Sequence, residues 1–183
     1  MPTSSIENIS YSCDLIRKIS PESILDVGCG FGKWGYLSRE ILDIAYGRYA
    51  RDDWHVRIDG VEIFPAYLTP VHRHIYNNVI IGDAFEHIQH SGPYDLIIFG
   101  DVIEHFRKPD ALCLLNHARS KARKGILLHI PLGRQWPQDA RGVNVYEEHK
   151  STWTEEELRD AGAYVKTFRD PLGRCFAVAL MLD

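Results

Sequence analysis

The feature that most constrains the fold is an apolar run that leads through an acid into a glycine-rich turn, at residues 24–34 (ILDVGCGFGKW). The apolar part indicates a buried strand, and a helical pattern follows the turn. This strand–turn–helix unit is typical of the first βα unit of a nucleotide-type binding domain. The chain is therefore predicted to be an α/β protein with a ligand at this turn.

The spacing of the glycines indicates which ligand fits. A dinucleotide-binding turn has the pattern G-x-G-x-x-G, whereas Gly28, Gly30 and Gly32 follow G-x-G-x-G. Asp26 would repel a pyrophosphate and attract an ammonium group, and Trp34 replaces the Ser or Thr of a P-loop. A nucleoside without phosphates but with a cationic amine fits best, and S-adenosylmethionine (SAM) is one. The alternative is a glycine-rich turn without a ligand.

This stretch resembles motif I of the class I SAM-dependent methyltransferases, and the resemblance covers nearly the whole chain. It implies SAM as the cofactor and S-adenosylhomocysteine as its product. At this turn it implies the cofactor-binding residues Asp26, Gly28, Cys29, Gly30 and Trp34.

Apolar runs alternate with helical patterns, which predicts a parallel sheet with right-handed crossovers. Only residues 169–174 separate the last two strands, so these strands form an antiparallel hairpin. The predicted strands are 23–28, 56–62, 79–81, 94–99, 125–130, 164–168 and 175–182; the predicted helices are 5–19, 33–45, 66–73, one starting near Pro109 and one opening at Thr154. The fold class is therefore α/β: a Rossmann-like, seven-stranded, mostly parallel sheet with helices on both faces and a C-terminal antiparallel hairpin.

The 183 residues fit one domain, with a helix within residues 1–20 and an acceptor-side loop at 131–153. No apolar run approaches the about 20 residues of a membrane span, so no membrane partner is expected. The four cysteines are far apart and fit reduced thiols in a cytoplasmic protein. The net charge of −4 disfavours a generic nucleic-acid binder while leaving a local basic patch open.

Acids follow two further strands, where ligands of open α/β sheets bind. Glu62 ends the second strand and is predicted to accept both ribose hydroxyls, with Ile63 beside the adenine; the alternative is a solvated carboxylate. The resemblance implies that Asp83 accepts from the adenine amino group and that Ala84 supplies a backbone donor. Asp83 also suits a helix N-cap, and the two roles are compatible.

The fourth strand ends in the candidate catalytic segment, residues 100–106 (GDVIEHF). The resemblance implies that the backbone of Gly100 and Asp101 holds the methionine ammonium. A hydroxyl acceptor must lose a proton, so methyl transfer to oxygen needs a base or a metal. His105 is the candidate base, and Asp101 and His149 are further catalytic candidates.

The acid-x-x-Glu-His pattern resembles two groups of metal-dependent O-methyltransferases, the small-RNA 2′-O-methyltransferases and the ubiquinone-pathway enzymes. That resemblance implies the ligands Asp101, Glu104, His105 and His149 for a divalent metal. The sequence departs from the pattern at Asp101, where those groups have Glu. The alternative is that Glu104 and His105 form local hydrogen bonds and pack the pocket without a metal.

The long loop after the fifth strand is the candidate acceptor pocket. Its aromatic, amide and arginine side chains suit a polyhydroxylated or anionic acceptor, or they hold the loop together. They are Arg134, Gln135, Trp136, Arg141, Asn144, Tyr146 and His149. Trp136→Ala is expected to keep SAM binding but to lose turnover.

The other histidines are predicted to take no part in chemistry. His72 and His74 lie two residues apart on a helix and diverge. His87 and His90 are expected on a solvated turn, and His129 as a buried histidine with satisfied hydrogen bonds.

These observations favour a SAM-dependent O-methyltransferase that acts on a small-molecule or glycan-type hydroxyl acceptor. A metal-dependent RNA 2′-O-methyltransferase is the second hypothesis, favoured by the context of His149 and disfavoured by the acidic charge. A catalytically silent SAM-binding partner subunit is the third. The sequence leaves the acceptor and the oligomeric state open.

Overall fold

The computed structural model describes residues 5–134, 136 and 144–182. Seven strands alternate with six α-helices, and short 3₁₀ turns lie between them. The strands are β1 (Ser23–Val27), β2 (Arg57–Glu62), β3 (Asn78–Ile81), β4 (Tyr94–Gly100), β5 (Ala122–Pro131), β6 (Tyr164–Arg169) and β7 (Cys175–Leu182). The helices are α1 (Ile9–Ile19), α2 (Lys33–Leu42), α3 (Pro70–Ile75), α4 (Ala84–His90), α5 (Lys108–Arg119) and α6 (Glu155–Asp160).

All seven strands form one sheet in the order β3-β2-β1-β4-β5-β7-β6. β1 to β5 are parallel, and β7 runs antiparallel to both of its neighbours, β5 and β6. The predicted fold class, including the C-terminal hairpin, is confirmed. The strand order reverses direction between β1 and β4, which is where open α/β sheets bind ligands.

Two apolar layers cover the two faces of the sheet. One layer packs α4, α5 and α6 through residues such as Ile88, Leu114 and Leu158. The other packs α1, α2 and α3 through Ile16, Leu42 and other buried side chains. The strands β1 and β4 are buried almost throughout, as their continuous apolar runs predict.

Several element boundaries differ from those predicted. α1 begins at Ile9 rather than residue 5, with Asn8 at the N-cap position. The segment containing His87 and His90 is the helix α4 and not a solvated turn, because the Asp83 side chain caps its N-terminus. The capping box predicted at Thr154 is present: Thr154 and Glu157 exchange side-chain to backbone hydrogen bonds of 3.2 and 2.9 Å.

The helices within residues 5–134, 136 and 144–182 are all too short or too polar to cross a bilayer.

Candidate active site

A cavity of about 470 Å³ opens at the carboxyl ends of the parallel strands. Its wall contains the residues that directly follow β1, β2, β3 and β4, as expected where the strand order reverses. The predicted cofactor residues in its lining are Gly28, Gly30, Glu62, Ile63, Asp83, Ala84, Gly100 and Asp101.

The glycine-rich turn after β1 has a backbone that other residues would strain. Gly28, Gly30 and Gly32 have φ angles of 63°, 53° and 87°, in the left-handed region. A Cβ atom on Gly28 would also lie 2.6 Å from Cγ2 of Val102. The G-x-G-x-G spacing is thus a requirement of this turn geometry, and the turn exposes its backbone to the cavity.

Three of the predicted cofactor contacts lie behind the turn, outside the cavity lining. Asp26 is 1% exposed, and its Oδ2 accepts hydrogen bonds from the Tyr76 hydroxyl at 2.6 Å and from the Gly35 N–H at 3.0 Å. Burial raises the pKa of Asp26 to about 7. Cys29 is buried, and the Trp34 ring stacks on His129 at 3.9 Å. These three side chains, which lie next to the turn in sequence, therefore point into the layer that packs α1, α2 and α3 against the sheet.

Glu62 ties the end of β2 to the glycine turn. Its Oε2 accepts from the Gly30 N–H at 2.9 Å and its Oε1 from the Phe64 N–H at 2.8 Å. Burial raises its pKa, and these two hydrogen bonds oppose the rise. The carboxylate is therefore a structural part of the turn, and a carboxylate retains lone pairs that can accept from a ribose.

Asp83 takes the N-cap position predicted for it. Its Oδ1 accepts from the Phe85 N–H at 2.8 Å and from the Glu86 N–H at 3.3 Å. The residue also lines the cavity, as does Ala84. The cap and a contact to a ligand are compatible, because the cap uses only one of the two oxygens.

The segment after β4 turns sharply at Asp101. This residue has a φ of 58°, which is rare outside glycine and concentrated at functional sites. Its N–H donates to the His129 carbonyl at 3.0 Å, so the end of β5 holds it in place. Asp101 and Gly100 both line the cavity.

Glu104, His105 and His149 form a cluster beside the cavity. One potential ligand atom from each lies within 4.8 Å of the others, and Asp101 is not a member. Glu104 is 1% exposed, and neither of its oxygens has a hydrogen-bond partner in the described part of the chain. Burial and the nearby Asp101 raise its pKa well above the usual value.

The two histidines of the cluster are held as neutral rings. Burial lowers the pKa of His105, and burial together with His105 lowers that of His149 to about 4. His105 Nδ1 lies 3.1 Å from the Glu148 carbonyl oxygen. Since a carbonyl only accepts, Nδ1 carries the proton and Nε2 has a lone pair to offer. His105 lines the cavity, whereas Glu104 and His149 lie outside its lining.

The loop after β5 contributes part of what was expected. Asn144 and Tyr146 line the cavity, but the Trp136 indole donates to the Cys175 carbonyl at 2.7 Å and packs against β7. Gln135 and Arg141 lie outside the described residues. Other lining residues were not singled out from the sequence, although Val102 and Phe106 lie in the segment 100–106 and Glu147 and Lys150 in the predicted loop. These residues are Tyr67, Val102, Phe106, Arg107, Asp110, Glu147 and Lys150.

Comparisons with known proteins agree with this architecture. A family model described as a methyltransferase domain matches residues 7–163. A SAM-dependent methyltransferase from Archaeoglobus fulgidus superposes with a TM-score of 0.64 at 15% identity, covering 94% of this chain and 93% of that one. Magnesium protoporphyrin IX methyltransferase from Synechocystis PCC 6803, solved with bound SAM, gives 0.60 at 15% identity, covering 97% and 79%.

The small RNA methyltransferase HEN1 superposes with a TM-score of 0.63 at 18% identity. The alignment covers 98% of this chain and 25% of HEN1. This chain also spans only 57% of an O-methyltransferase family protein from Burkholderia thailandensis. No curated protein sequence matches the chain. At these identities the solved structures support the fold.

Proposed function

The chain belongs to the methyltransferase-domain family, as a class I SAM-dependent methyltransferase, and from this premise we propose that it methylates a hydroxyl oxygen of a small-molecule or sugar-like acceptor. SAM would occupy the cavity, with adenine at Asp83 and Ala84, ribose at Glu62 and the methionine ammonium at the backbone of Gly100 and Asp101. Asp26, Cys29 and Trp34 would support this site from behind.

The charges that line the cavity support a cationic cofactor. Five carboxylates and two cationic side chains line it, so the excess charge is negative. These residues are Glu62, Asp83, Asp101, Asp110 and Glu147, with Arg107 and Lys150. SAM carries a sulfonium and an ammonium against one carboxylate, so this wall attracts it more strongly than it attracts a nucleotide with phosphates.

The observation that carries the choice of oxygen as acceptor is the tautomer of His105. Its Nδ1 donates to the Glu148 carbonyl, so the Nε2 lone pair can take a proton from an acceptor hydroxyl. When bound, SAM supplies an electrophilic methyl carbon whose bonding electrons remain on sulfur as S-adenosylhomocysteine leaves. The new bond is a methyl ether, and the hydroxyl proton ends on His105. Asp101 would orient the acceptor beside it, and His149 would hold the ring in place at 5.1 Å.

A label-transfer assay tests this proposal. We would screen methyl-labelled SAM against metabolite and polysaccharide extracts and characterise the labelled product. We expect an alkali-stable methyl ether. His105→Ala should lower turnover by about 100-fold or more while SAM binding is kept, whereas His90→Ala, at an exposed histidine, should leave turnover unchanged. Label found only on nitrogen or sulfur would contradict the proposal.

A second candidate, a metal-dependent RNA 2′-O-methyltransferase, is favoured by the cluster of Glu104, His105 and His149. Two imidazoles and a buried carboxylate, which has no hydrogen-bond partner in the part of the chain that the structure describes, fit a divalent metal. A bound metal would acidify a coordinated hydroxyl. His105 Nε2 has one lone pair, so it serves either as base or as ligand.

Metal content separates the two candidates. The metal-dependent function predicts a stoichiometric divalent ion in protein purified without chelator and its loss in Glu104→Gln, by elemental analysis. Activity unchanged by EDTA would contradict a metal. RNA retention on nitrocellulose at low salt tests the acceptor separately, and retention no greater than that of an acidic control protein would argue against RNA.

A further inference from the structure

Two stacked rings from α3 and its C-terminal end support the glycine-rich turn from behind. His72 and Tyr76, called the ring pair here, are 2% and 1% exposed. They lie one helical turn apart, with centroids 5.6 Å apart and planes at 12°. Neither residue belongs to the cavity lining, so the function proposed above gives them no role.

His72 donates a hydrogen bond to the Gly30 carbonyl, and a contact with Thr69 fixes the tautomer that allows this. The Thr69 N–H lies 3.0 Å from His72 Nδ1, so Nδ1 must accept and the ring proton must sit on Nε2. Nε2 then donates to the Gly30 carbonyl oxygen at 2.9 Å. The Gly30 N–H donates in turn to Glu62. Both polar groups of this cavity-lining residue are therefore fixed by buried side chains.

Tyr76 holds Asp26, the acid that precedes the turn. Its hydroxyl donates to Asp26 Oδ2 at 2.6 Å, and the same oxygen accepts from the Gly35 N–H in α2. One carboxylate thus joins the end of β1 to the first turn of α2 and to Tyr76. Since the glycine-rich turn lies between β1 and α2, this joint fixes both of its ends.

The ring pair also fills space that glycines leave open. A Cβ atom on Gly35 would lie 2.2 Å from the Tyr76 ring, and one on Gly60 would lie 3.0 Å from it. A Cβ on Gly32 would lie 3.4 Å from His72 Nε2. The lack of a side chain at Gly35 thus allows the Tyr76 ring to approach the helix backbone closely, which places the Tyr76 hydroxyl at Asp26.

We propose that His72 and Tyr76 are positioning residues for the cofactor, which hold the glycine-rich turn in its SAM-binding conformation before SAM arrives. The inference rests on the proposed function of the cavity. A preorganised turn binds more tightly because no free energy is spent on ordering it at binding. Loss of either donor should therefore weaken SAM binding beyond any effect on stability.

Two substitutions of His72 separate the donor from the ring. Both His72→Phe and His72→Gln lose the Nδ1 acceptor for Thr69, but only Gln keeps a side-chain N–H donor near the Nε2 position. We expect the Kd for SAM to rise about tenfold in His72→Phe and to stay within about threefold of the original in His72→Gln, by calorimetry. His74→Phe, at an exposed histidine of the same helix, is the control.

Two tyrosines provide a second matched pair. Tyr76 and Tyr94 are both buried, and each donates its hydroxyl to an aspartate, Tyr94 to Asp59 at 2.9 Å. Tyr94 begins β4, at the opposite end of that strand from the cavity. We expect similar falls in the unfolding midpoint for Tyr76→Phe and Tyr94→Phe, but about a tenfold rise in the Kd for SAM only in Tyr76→Phe.

The outcomes are distinguishable. If the unsubstituted protein takes up no SAM, the proposed function fails and this inference fails with it. If the protein binds SAM and both His72→Phe and Tyr76→Phe bind equally well, only the ring-pair inference is overturned. Weakened binding in Tyr94→Phe and His72→Gln as well would overturn it too, because the effect would then follow stability alone.

Discussion

Two buried glutamates, one at the end of β2 and one just after β4, differ in whether their carboxyl oxygens accept hydrogen bonds. Glu62, at the end of β2, is 5% exposed, and each of its oxygens accepts a backbone N–H. Glu104, just after β4, is 1% exposed, and within the described residues its oxygens accept nothing. Its backbone carbonyl, in contrast, accepts from the N–H groups of Lys150 and Ser151. The position of Glu104 is fixed, but its carboxyl group has no hydrogen-bond partner among the residues that the structure describes.

The difference separates the cofactor side of the cavity from the acceptor side. On the cofactor side, both oxygens of Glu62 and both polar groups of the Gly30 backbone have partners within the chain, so the turn is held in place without a ligand. On the acceptor side a buried carboxyl costs free energy that nothing in the described chain offsets. Such a cost is typical of groups that act on a substrate, a proton or a metal. Substitutions on either side of the cavity can test this difference between the cofactor side and the acceptor side.

The largest effect is expected for Glu62→Met. The substitution keeps side-chain length but leaves the Gly30 and Phe64 N–H groups without their acceptor. Hydrogen bonds to charged groups contribute about 1.5–3 kcal/mol each, so the free energy of unfolding should fall by about 3–6 kcal/mol. SAM binding should be lost as well. Urea unfolding and calorimetry measure the two effects, and a loss under 1 kcal/mol would show that the carboxylate is not part of the structure.

The pH dependence of stability should reveal Asp26. Its pKa is about 7 in the folded protein against 3.8 for an ordinary Asp, so between these pH values the folded state binds more protons than the unfolded state. The free energy of unfolding should therefore fall as pH rises from about 4 to about 7, by roughly 2–4 kcal/mol, and then level off.

The Asp26→Asn protein has no titrating group at this position, so its free energy of unfolding should lack the fall between about pH 4 and about pH 7 that Asp26 causes. The comparison is urea unfolding of both proteins at several pH values. Parallel profiles would mean that Asp26 is ionised throughout and that the Tyr76 and Gly35 donors outweigh its burial.

The sequence predicted the buried strands and the acids at their ends better than it predicted the short helix α4. The buried strands β1, β4 and β5 were found because uninterrupted apolar runs mark them, and strand ends in turn located Glu62, Asp83 and Asp101. The helix α4 was missed because its sequence, AFEHIQH, is short and polar, although Asp83 was recognised as a suitable N-cap.

His72 and Tyr76, which support the glycine-rich turn, could not be predicted from apolar runs or strand ends. His72 contacts Gly30 across 42 residues and Tyr76 contacts Asp26 across 50, and no periodicity encodes such pairs. Asp26, Cys29 and Trp34 were expected at the cofactor from the resemblance to motif I. The structure buries all three side chains behind the turn, outside the cavity lining.

Glu104→Met should change stability in the opposite direction to Glu62→Met. The substitution replaces a buried carboxyl that has no hydrogen-bond partner in the described chain with an apolar side chain of similar length. The free energy of unfolding should therefore rise by about 1–3 kcal/mol. Turnover should be lost, which is the expected trade-off at a functional group. A destabilised Glu104→Met protein would show that the carboxyl has a structural partner and would remove the contrast between the two glutamates.

The smallest effect is expected where the two sides of the cavity meet. The Tyr67 hydroxyl, after β2, lies 3.2 Å from Glu147 Oε1, before α6, and both residues line the cavity. Tyr67 is only half-buried, so its hydrogen bond contributes little to stability, but it joins two segments of the cavity wall. Tyr67→Phe should therefore leave the unfolding midpoint unchanged and raise the SAM dissociation rate about threefold in stopped-flow fluorescence.

Tyr146→Phe, at an exposed tyrosine of the same wall, should leave that rate unchanged. Equal rates in all three proteins would mean that the two sides move independently, and the acceptor side could then open without disturbing the bound cofactor.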